Sequence, residues 1–318
     1  MAAIGESVAL TPPKEDWRSK LRSARTGWWF MSPSAVLVIM FFFIPSIVIV
    51  GLSLTNMTTA TGFRNWDWVG LENYQKIFEH PNTVTNARAT LIYVVATLIL
   101  FNVGMALVVA LLSTHIPRRA GFIFRALWLL PRITPSVIYI MMWKFIAAAE
   151  PYGILNRYLP FLSGNNLVPD QAMLFVVMTN GFIGASFGMI LFASAIESIP
   201  KDYMMAAMVD GCNIWQRIRY VILPALRWPL LFVTTYQTLS LLTSFEQIFL
   251  LTDGAYNTEV WSLWSYHRAL NNYWGNFQWG FGAALAVVMV IIGAVAAVAY
   301  MRFFQFNELV QEPLIEAL

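Results

Sequence analysis

A single cysteine, Cys212, serves 318 residues, which excludes an internal disulfide and any cysteine-rich metal cluster. The three histidines, His80, His115 and His267, are scattered and show no paired-ligand spacing. No G-x-x-x-x-G-K-[ST] run occurs, so the chain has no P-loop with which to hold a nucleotide phosphate. Charge is scarce: only 12% of residues are Asp, Glu, Lys or Arg, and the net charge is +3. The basic residues are not interleaved with aromatics into a nucleic-acid surface, so no nucleic-acid partner is expected. Internal repeats, low-complexity linkers and a nucleophile-and-base arrangement are also lacking, which argues against an enzyme.

Apolar residues are what the chain has in abundance. They make up 58% of it, and the mean hydropathy is +0.60, far from a soluble globular profile. Crossing roughly 30 Å of hydrocarbon takes about 20 helical residues. Six stretches meet that length: Trp28–Leu54, Ala89–Ser113, Phe122–Ala147, Gln171–Ile196, Val221–Phe245 and Phe281–Phe303. The expected fold is therefore an all-α integral membrane protein with six transmembrane helices. Residues 1–27 form an N-terminal tail, 28–305 the membrane domain and 306–318 a C-terminal tail. The first apolar run is too long for a cleavable signal peptide and follows a polar tail.

Charge placement orients these spans. Lys14, Arg18, Lys20, Arg22 and Arg25 precede the first; Arg118, Arg119 and Arg125 lie around the start of the third. Lys201, Arg217, Arg219 and Arg227 follow the fourth. The alternate loops hold Arg64, Lys76, Arg88, Arg157 and Arg268, offset by Asp67, Glu72, Glu79, Glu150 and Glu259. By the positive-inside rule both termini are cytoplasmic and the protein is multi-pass. Trp66, Trp68, Trp261, Trp264, Trp274 and Trp279 fall on the opposite face, where interfacial anchoring is their simplest role.

The loop after the fourth span has its own internal logic. Ser198 or Pro200 can open a helix, Gly211 can end it with a positive φ angle, and Asn213 can cap a second helix. A helix, a glycine break and another helix make a knuckle outside the bilayer. An amphipathic surface helix would account for part of this pattern, though not for all of its spacing.

That spacing resembles the EAA loop of permease subunits of bacterial binding-protein-dependent ABC importers. Ala206-Ala207, Gly211, Val221, Leu223 and Pro224 fall where the family has them, before the penultimate span. Similar pieces from the carbohydrate-uptake branch, which includes the maltose and glycerol-3-phosphate permeases, are Leu130-Pro131, Pro135, Trp143-Lys144, Gly153-Ile154-Leu155-Asn156, Phe249–Gly254 and Gly280–Ala284. The resemblance implies a coupling helix in the loop 198–224, between helices 4 and 5, docking a separate ATPase through Met204, Met205, Ala206, Ala207, Asp210 and Gly211. It also implies a second homologous permease subunit, an ABC ATPase dimer holding ATP and Mg, an extracytoplasmic solute-binding protein and the bacterial inner membrane. No cofactor is then expected in this chain. One departure stands out: Met205 occupies the family's glutamate position, flanked by Met204 and Met208. Flexible methionines suit an irregular apolar groove, and the lost carboxylate points to a partner permease carrying the more usual loop.

Polar groups in hydrocarbon usually face a partner or a wet cavity. Asn180, Gly184 and Phe187 recur on one helical face of the fourth span, and Gln237, Ser240, Leu241 and Ser244 share a face of the fifth. Amides and hydroxyls can bond sugar hydroxyls, and Phe187 can stack on a sugar ring. Aligned from the knuckle, these positions match those implied by the resemblance to line the sugar site. Helix packing is the competing use, since Gly184-x-x-x-Gly188 is a small-residue contact motif. Arg132 lies about ten residues into the third span, between Pro131 and Pro135, where an unpaired guanidinium costs several kcal/mol. Either it faces the path of an anionic sugar derivative or it forms a structural ion pair. A gradient-driven secondary transporter is the alternative; it calls for mid-span acids, whereas Glu197 and Glu246 lie near span ends.

Overall fold

The computed structural model describes residues 17–148, 152–158, 171–271 and 275–304. Residues 1–16 of the N-terminal tail, the C-terminal tail and Trp274 lie outside the described residues. Among the described residues every regular element is a helix, apart from one isolated antiparallel bridge between Thr55 and Trp68. The chain divides into two units, residues 1–51 and 52–318.

The first unit is helical. α1 (Trp17–Val38) runs through a π-helical turn at Ile39–Phe43 into α2 (Ile44–Ser53). Pro45 has no N–H to donate, and the ladder slips just ahead of it, the Ile44 N–H bonding the Ile39 carbonyl. Apolar residues from Gly27 to Ser53 make this helix long enough to cross a membrane.

The second unit opens with α3 (Glu72–Glu79) and a long helix made of α4 (Thr83–Ala96), a π segment at Thr97–Met105 and α5 (Ala106–His115). There follow α6 (Arg118–Ile133), α7 (Ser136–Ile146), α8 (Ile154–Tyr158) and the central α9 (Ala172–Ser198). Short helices α10 (Lys201–Val209), α11 (Ile214–Arg217) and α12 (Leu223–Ala225) lead into α13 (Arg227–Thr243). The unit closes with α14 (Glu246–Thr252), α15 (Trp261–Ala269) and α16 (Trp279–Phe303).

Among the described residues four stretches are long and apolar enough to span: Gly27–Ser53, Thr83–His115, Ala172–Ser198 and Trp279–Phe303, with α6 and α7 a fifth if their bent pair counts as one. Two expected spans differ from the sequence reading. Phe122–Ala147 is not straight, because α6 and α7 meet at 97°. Pro135 forces Thr134 into extended backbone (φ −69°, ψ 135°) and cannot donate to the helix ladder. Val221–Phe245 is interrupted at Leu226 (φ −86°, ψ 3°), with Pro224 before and Pro229 after removing two more donors, and α13 is left with 17 residues.

α9 sits at the centre of this unit. It lies so close to the π segment that a Cβ at Gly184 would come within 2.0 Å of Asn102 Oδ1, and one at Gly188 within 2.5 Å of the Asn102 carbonyl. In lipid, helices gain little from apolar burial against one another, and such backbone approach supplies the contact. Two apolar clusters flank α9, one around Tyr93, Ile140, Phe175 and Leu241, the other around Ala106, Met189, Phe192 and Val233. A third joins Ile77, Trp261, Trp264 and Phe281. Trp261 and Trp264 are therefore core rather than interfacial anchors: they are 7% and 1% exposed, and the Trp261 indole N–H donates to the Leu285 carbonyl at 2.9 Å. Trp66 and Trp68 remain exposed.

Candidate translocation wall and coupling knuckle

The knuckle is built as its residues dictate. Pro200 precedes α10 with extended backbone, and Gly211 ends it at φ +76°. The Gly211 N–H bonds the Met208 carbonyl at 3.1 Å and the Cys212 N–H bonds the Ala207 carbonyl at 2.9 Å, a Schellman closure that needs the left-handed residue. Asn213 and Gln216 then form a capping box, each side chain accepting from the other's backbone N–H at 2.9 and 2.8 Å. Met205, Ala206, Asp210 and Gly211 are exposed, Met204 is partly covered, and Ala207 alone in α10 is buried. With Tyr203, Met208, Val209, Ile214 and Trp215 also exposed, the knuckle exposes several large apolar side chains close together in sequence, a feature of interaction sites.

The expected wall residues fall into two layers. In the packed layer, Asn180 Nδ2 donates to the Tyr93 hydroxyl, which donates to Ser244 Oγ at 3.4 Å, which donates to Gln247 Oε1 at 2.6 Å. This polar chain ties α9 to α4, α13 and α14. Gln237 Nε2 donates to the Gly184 carbonyl at 2.9 Å, and Gln237 and Leu241 are buried. Asn180, Gly184, Gln237 and Leu241 thus hold helices together, while Ser244 is half-buried within the chain.

The open layer contains Phe187, Ser240 and Arg132. The Phe187 ring lies 4.8 Å from that of Tyr236 and 6.4 Å from that of Phe232, and the Arg132 guanidinium stands over Phe187 at 5.5 Å. Phe232, Tyr236 and Ser240 lie at i, i+4 and i+8 on one face of α13 and are exposed. Residue 240 is offset from 237 by about 60° around a helix of 3.6 residues per turn, so the four residues read as one face straddle two. Arg132 makes no ion pair among the described residues; the aromatic face is its neighbour, a cation–π contact. Glu246 instead accepts from Ser136 Oγ at 2.6 Å, and Lys144 Nζ donates to the Leu250 carbonyl at 3.1 Å rather than reaching outward.

Tyr93, Phe232 and Tyr236 were not singled out from sequence. Tyr93 belongs to a polar stripe running along α4 into the π segment, Asn86, Thr90, Tyr93 and Thr97, all buried, whose helical spacing was the available signal. Phe232 and Tyr236 were readable as an aromatic ladder leading to Ser240.

A second polar cluster lies beyond the spans. His267 Nδ1 and Nε2 meet Glu259 Oε1 at 2.8 Å and Asp253 Oδ1 at 3.1 Å, and Asn86 Nδ2 donates to Glu259 Oε2 at 2.8 Å. The bond to Glu259 raises the imidazole pKa above its ordinary value, with Asp253 assisting against burial. His80, against Trp264 at 5.0 Å, is shifted down by burial and by Arg268, whose guanidinium donates to its Nε2 at 3.0 Å.

A bundle of apolar helices with polar chains buried between them, and a short helix pair exposing apolar side chains, is the architecture of an integral membrane protein with a protruding contact surface. The chain is 28% identical over 308 residues to the "Probable ABC transporter permease protein YesP" of Bacillus subtilis, covering 92% of this chain and 96% of that one. It is 28% identical over 283 residues to the trehalose transport system permease protein SugA of Mycobacterium tuberculosis, covering 89% of each. In fold it matches a bacterial ABC transporter involved in the import of the acidic polysaccharide alginate, with a TM-score of 0.75 at 19% identity over 90% of this chain and 98% of that one. The alginate transporter in complex with an alginate pentasaccharide-bound periplasmic protein matches with a TM-score of 0.74 at 18% identity, over 89% and 95%. Residues 102–306 match the inner membrane component of binding-protein-dependent transport systems, and the chain belongs to that family. It is a permease subunit of an ABC importer, which removes the gradient-driven alternative.

Proposed function

We propose that this permease forms one half of the pore for a sugar or sugar derivative, with a second permease supplying the other half. The observation that carries the substrate reading is the open wall of Phe187, Phe232 and Tyr236 with Arg132 over it. Aromatic faces suit the apolar faces of sugar rings, and the guanidinium suits a carboxylate or phosphate on a conjugate. Trehalose transport by the relative SugA supports the carbohydrate class. The packed layer behind this wall fixes the helices that carry it.

In this reading all six segments cross the membrane, the third as a bent pair and the fifth from α12 into α13, with both termini in the cytoplasm. The knuckle Lys201–Arg217 docks a separate ATPase, whose dimer binds ATP and Mg and does the hydrolysis. A solute-binding protein delivers the sugar to the outer loops. Closure of the ATPases draws the knuckles together and rocks the helices, a rigid-body switch between outward and inward access. The full complex in proteoliposomes tests the wall: Phe187→Ala and Tyr236→Ala each cut ATP-driven sugar uptake about tenfold, ~1.4 kcal/mol, while the binding protein still stimulates ATP hydrolysis. Unchanged uptake in both variants rules the wall out as the sugar's path.

A further inference from the structure

A cavity of about 460 Å³ opens beside the start of α6, lined by Arg118, Arg119, Phe122, Ile123, Arg125 and Glu197. It is an open groove whose volume falls in the range of small-ligand sites. Two features of the sequence place these groups together. Arg118, Phe122 and Arg125 fall at i, i+4 and i+7 on α6, with Arg119 and Ile123 on the adjoining stripe. Gly121 lets α6 lie against the end of α5, since a Cβ there would come within 2.2 Å of the Ser113 carbonyl.

The lining is graded along the helix. Arg118 and Arg119, in the first turn, are exposed and have no hydrogen bond or ion pair among the described residues. One turn on, about 6 Å along the axis, Phe122 and Ile123 are 68% and 57% exposed. A further turn on, the less exposed Arg125 is bound to Glu197 at 2.6 Å, which neutralises one charge. Three arginines and one glutamate leave a net +2 over a cavity whose charged end is outermost and whose apolar side faces along the span.

We propose that this cavity binds the headgroup of an anionic membrane phospholipid. The phosphodiester lies between Arg118 and Arg119, and the acyl chains run down past Phe122 and Ile123. Guanidinium forks match phosphate oxygens in pairs, and basic pockets between spans are suited to anionic headgroups. The net +2 complements two phosphodiesters better than one, so diphosphatidylglycerol is preferred to phosphatidylglycerol. A soluble phosphate would use the arginines and leave the apolar side idle; a phospholipid uses both. Glu197 lies four residues before Lys201, so the site adjoins the knuckle. The proposal needs only the membrane setting of the chain and is independent of the sugar reading.

The test is lipid binding to the full chain within its purified complex in detergent, read by native mass spectrometry. Diphosphatidylglycerol, phosphatidylethanolamine and inorganic pyrophosphate serve as probes. Diphosphatidylglycerol should be retained in preference to phosphatidylethanolamine. The double variant Arg118→Gln/Arg119→Gln breaks no hydrogen bond or ion pair among the described residues, and should weaken retention about thirtyfold, about fivefold per arginine. Phe122→Ser/Ile123→Ser should weaken lipid retention and leave pyrophosphate unaffected. Equal retention of the zwitterionic lipid, or wild-type retention by the arginine double variant, overturns the site. Pyrophosphate binding as tight as lipid, with no effect of the serine pair, makes it a free-anion site and overturns the lipid assignment.

Discussion

At the residue scale, the same chemical type performs different work according to which side of a helix it occupies. Gln237 and Ser240 are three residues apart, yet the first holds the Gly184 carbonyl and the second faces outward with Tyr236. Helical spacing identified the polar residues of α9 and α13, but packing decided which of them bridge helices. Arg132 illustrates the other limit: its cost in the membrane was legible from sequence, whereas Phe187 beneath it is brought there by a helix more than fifty residues away. Arg132→Met is expected to cut uptake of an anionic sugar derivative and spare that of a neutral one, measured side by side in proteoliposomes. Beyond the spans, the raised pKa of His267 makes a signed prediction. The imidazolium gains Glu259 and Asp253 only in the folded state, so its stabilisation is fully present below about pH 6.5 and is lost as the pH rises through the folded value. The melting temperature of the wild-type complex should exceed that of His267→Gln by more at pH 6 than at pH 8.5. An equal gap at both pH values would show that the histidine is neutral throughout.

At the scale of elements, local punctuation was the most readable part of the chain. Gly211 and Asn213 end and restart the knuckle helices through contacts within a few residues, and such contacts follow directly from residue type. Gly211→Ala places a side chain at φ +76° and should cost roughly 1–2 kcal/mol, read as a lower melting temperature together with weaker ATPase stimulation. The bend between α6 and α7 was less legible. Pro131 and Pro135 were both visible, but a proline inside a span can be tolerated, kinked or broken, and only the packing of α7 against α14 resolves it. Here Ser136 reaches Glu246 and Lys144 reaches the end of α14, where a cation meets the negative helix terminus. The tryptophans misled for a similar reason, because a Trp-rich loop suits either an interface or a core. Long-range closure with Ile77 and Phe281 put Trp264 in the core.

At the scale of the molecule, the fold is that of an importer permease subunit. The exposed apolar residues of α10 and α11 have the character of a docking surface, and in the proposed function energy and ligand capture are supplied by separate proteins. In that function the knuckle, with Met205 where the resembled family carries a carboxylate, grips the ATPase through apolar contact. Met205→Lys should therefore reduce ATPase retention by about tenfold, ~1.4 kcal/mol, while leaving the subunit folded. The most direct measurement of the central claim is a tagged pull-down of this subunit from its native membrane, with mass spectrometry of what accompanies it. The account predicts a P-loop ATPase, a second and different permease, and a solute-binding protein recovered when its sugar is present. Recovery of the chain alone, or only as its own oligomer, would contradict it.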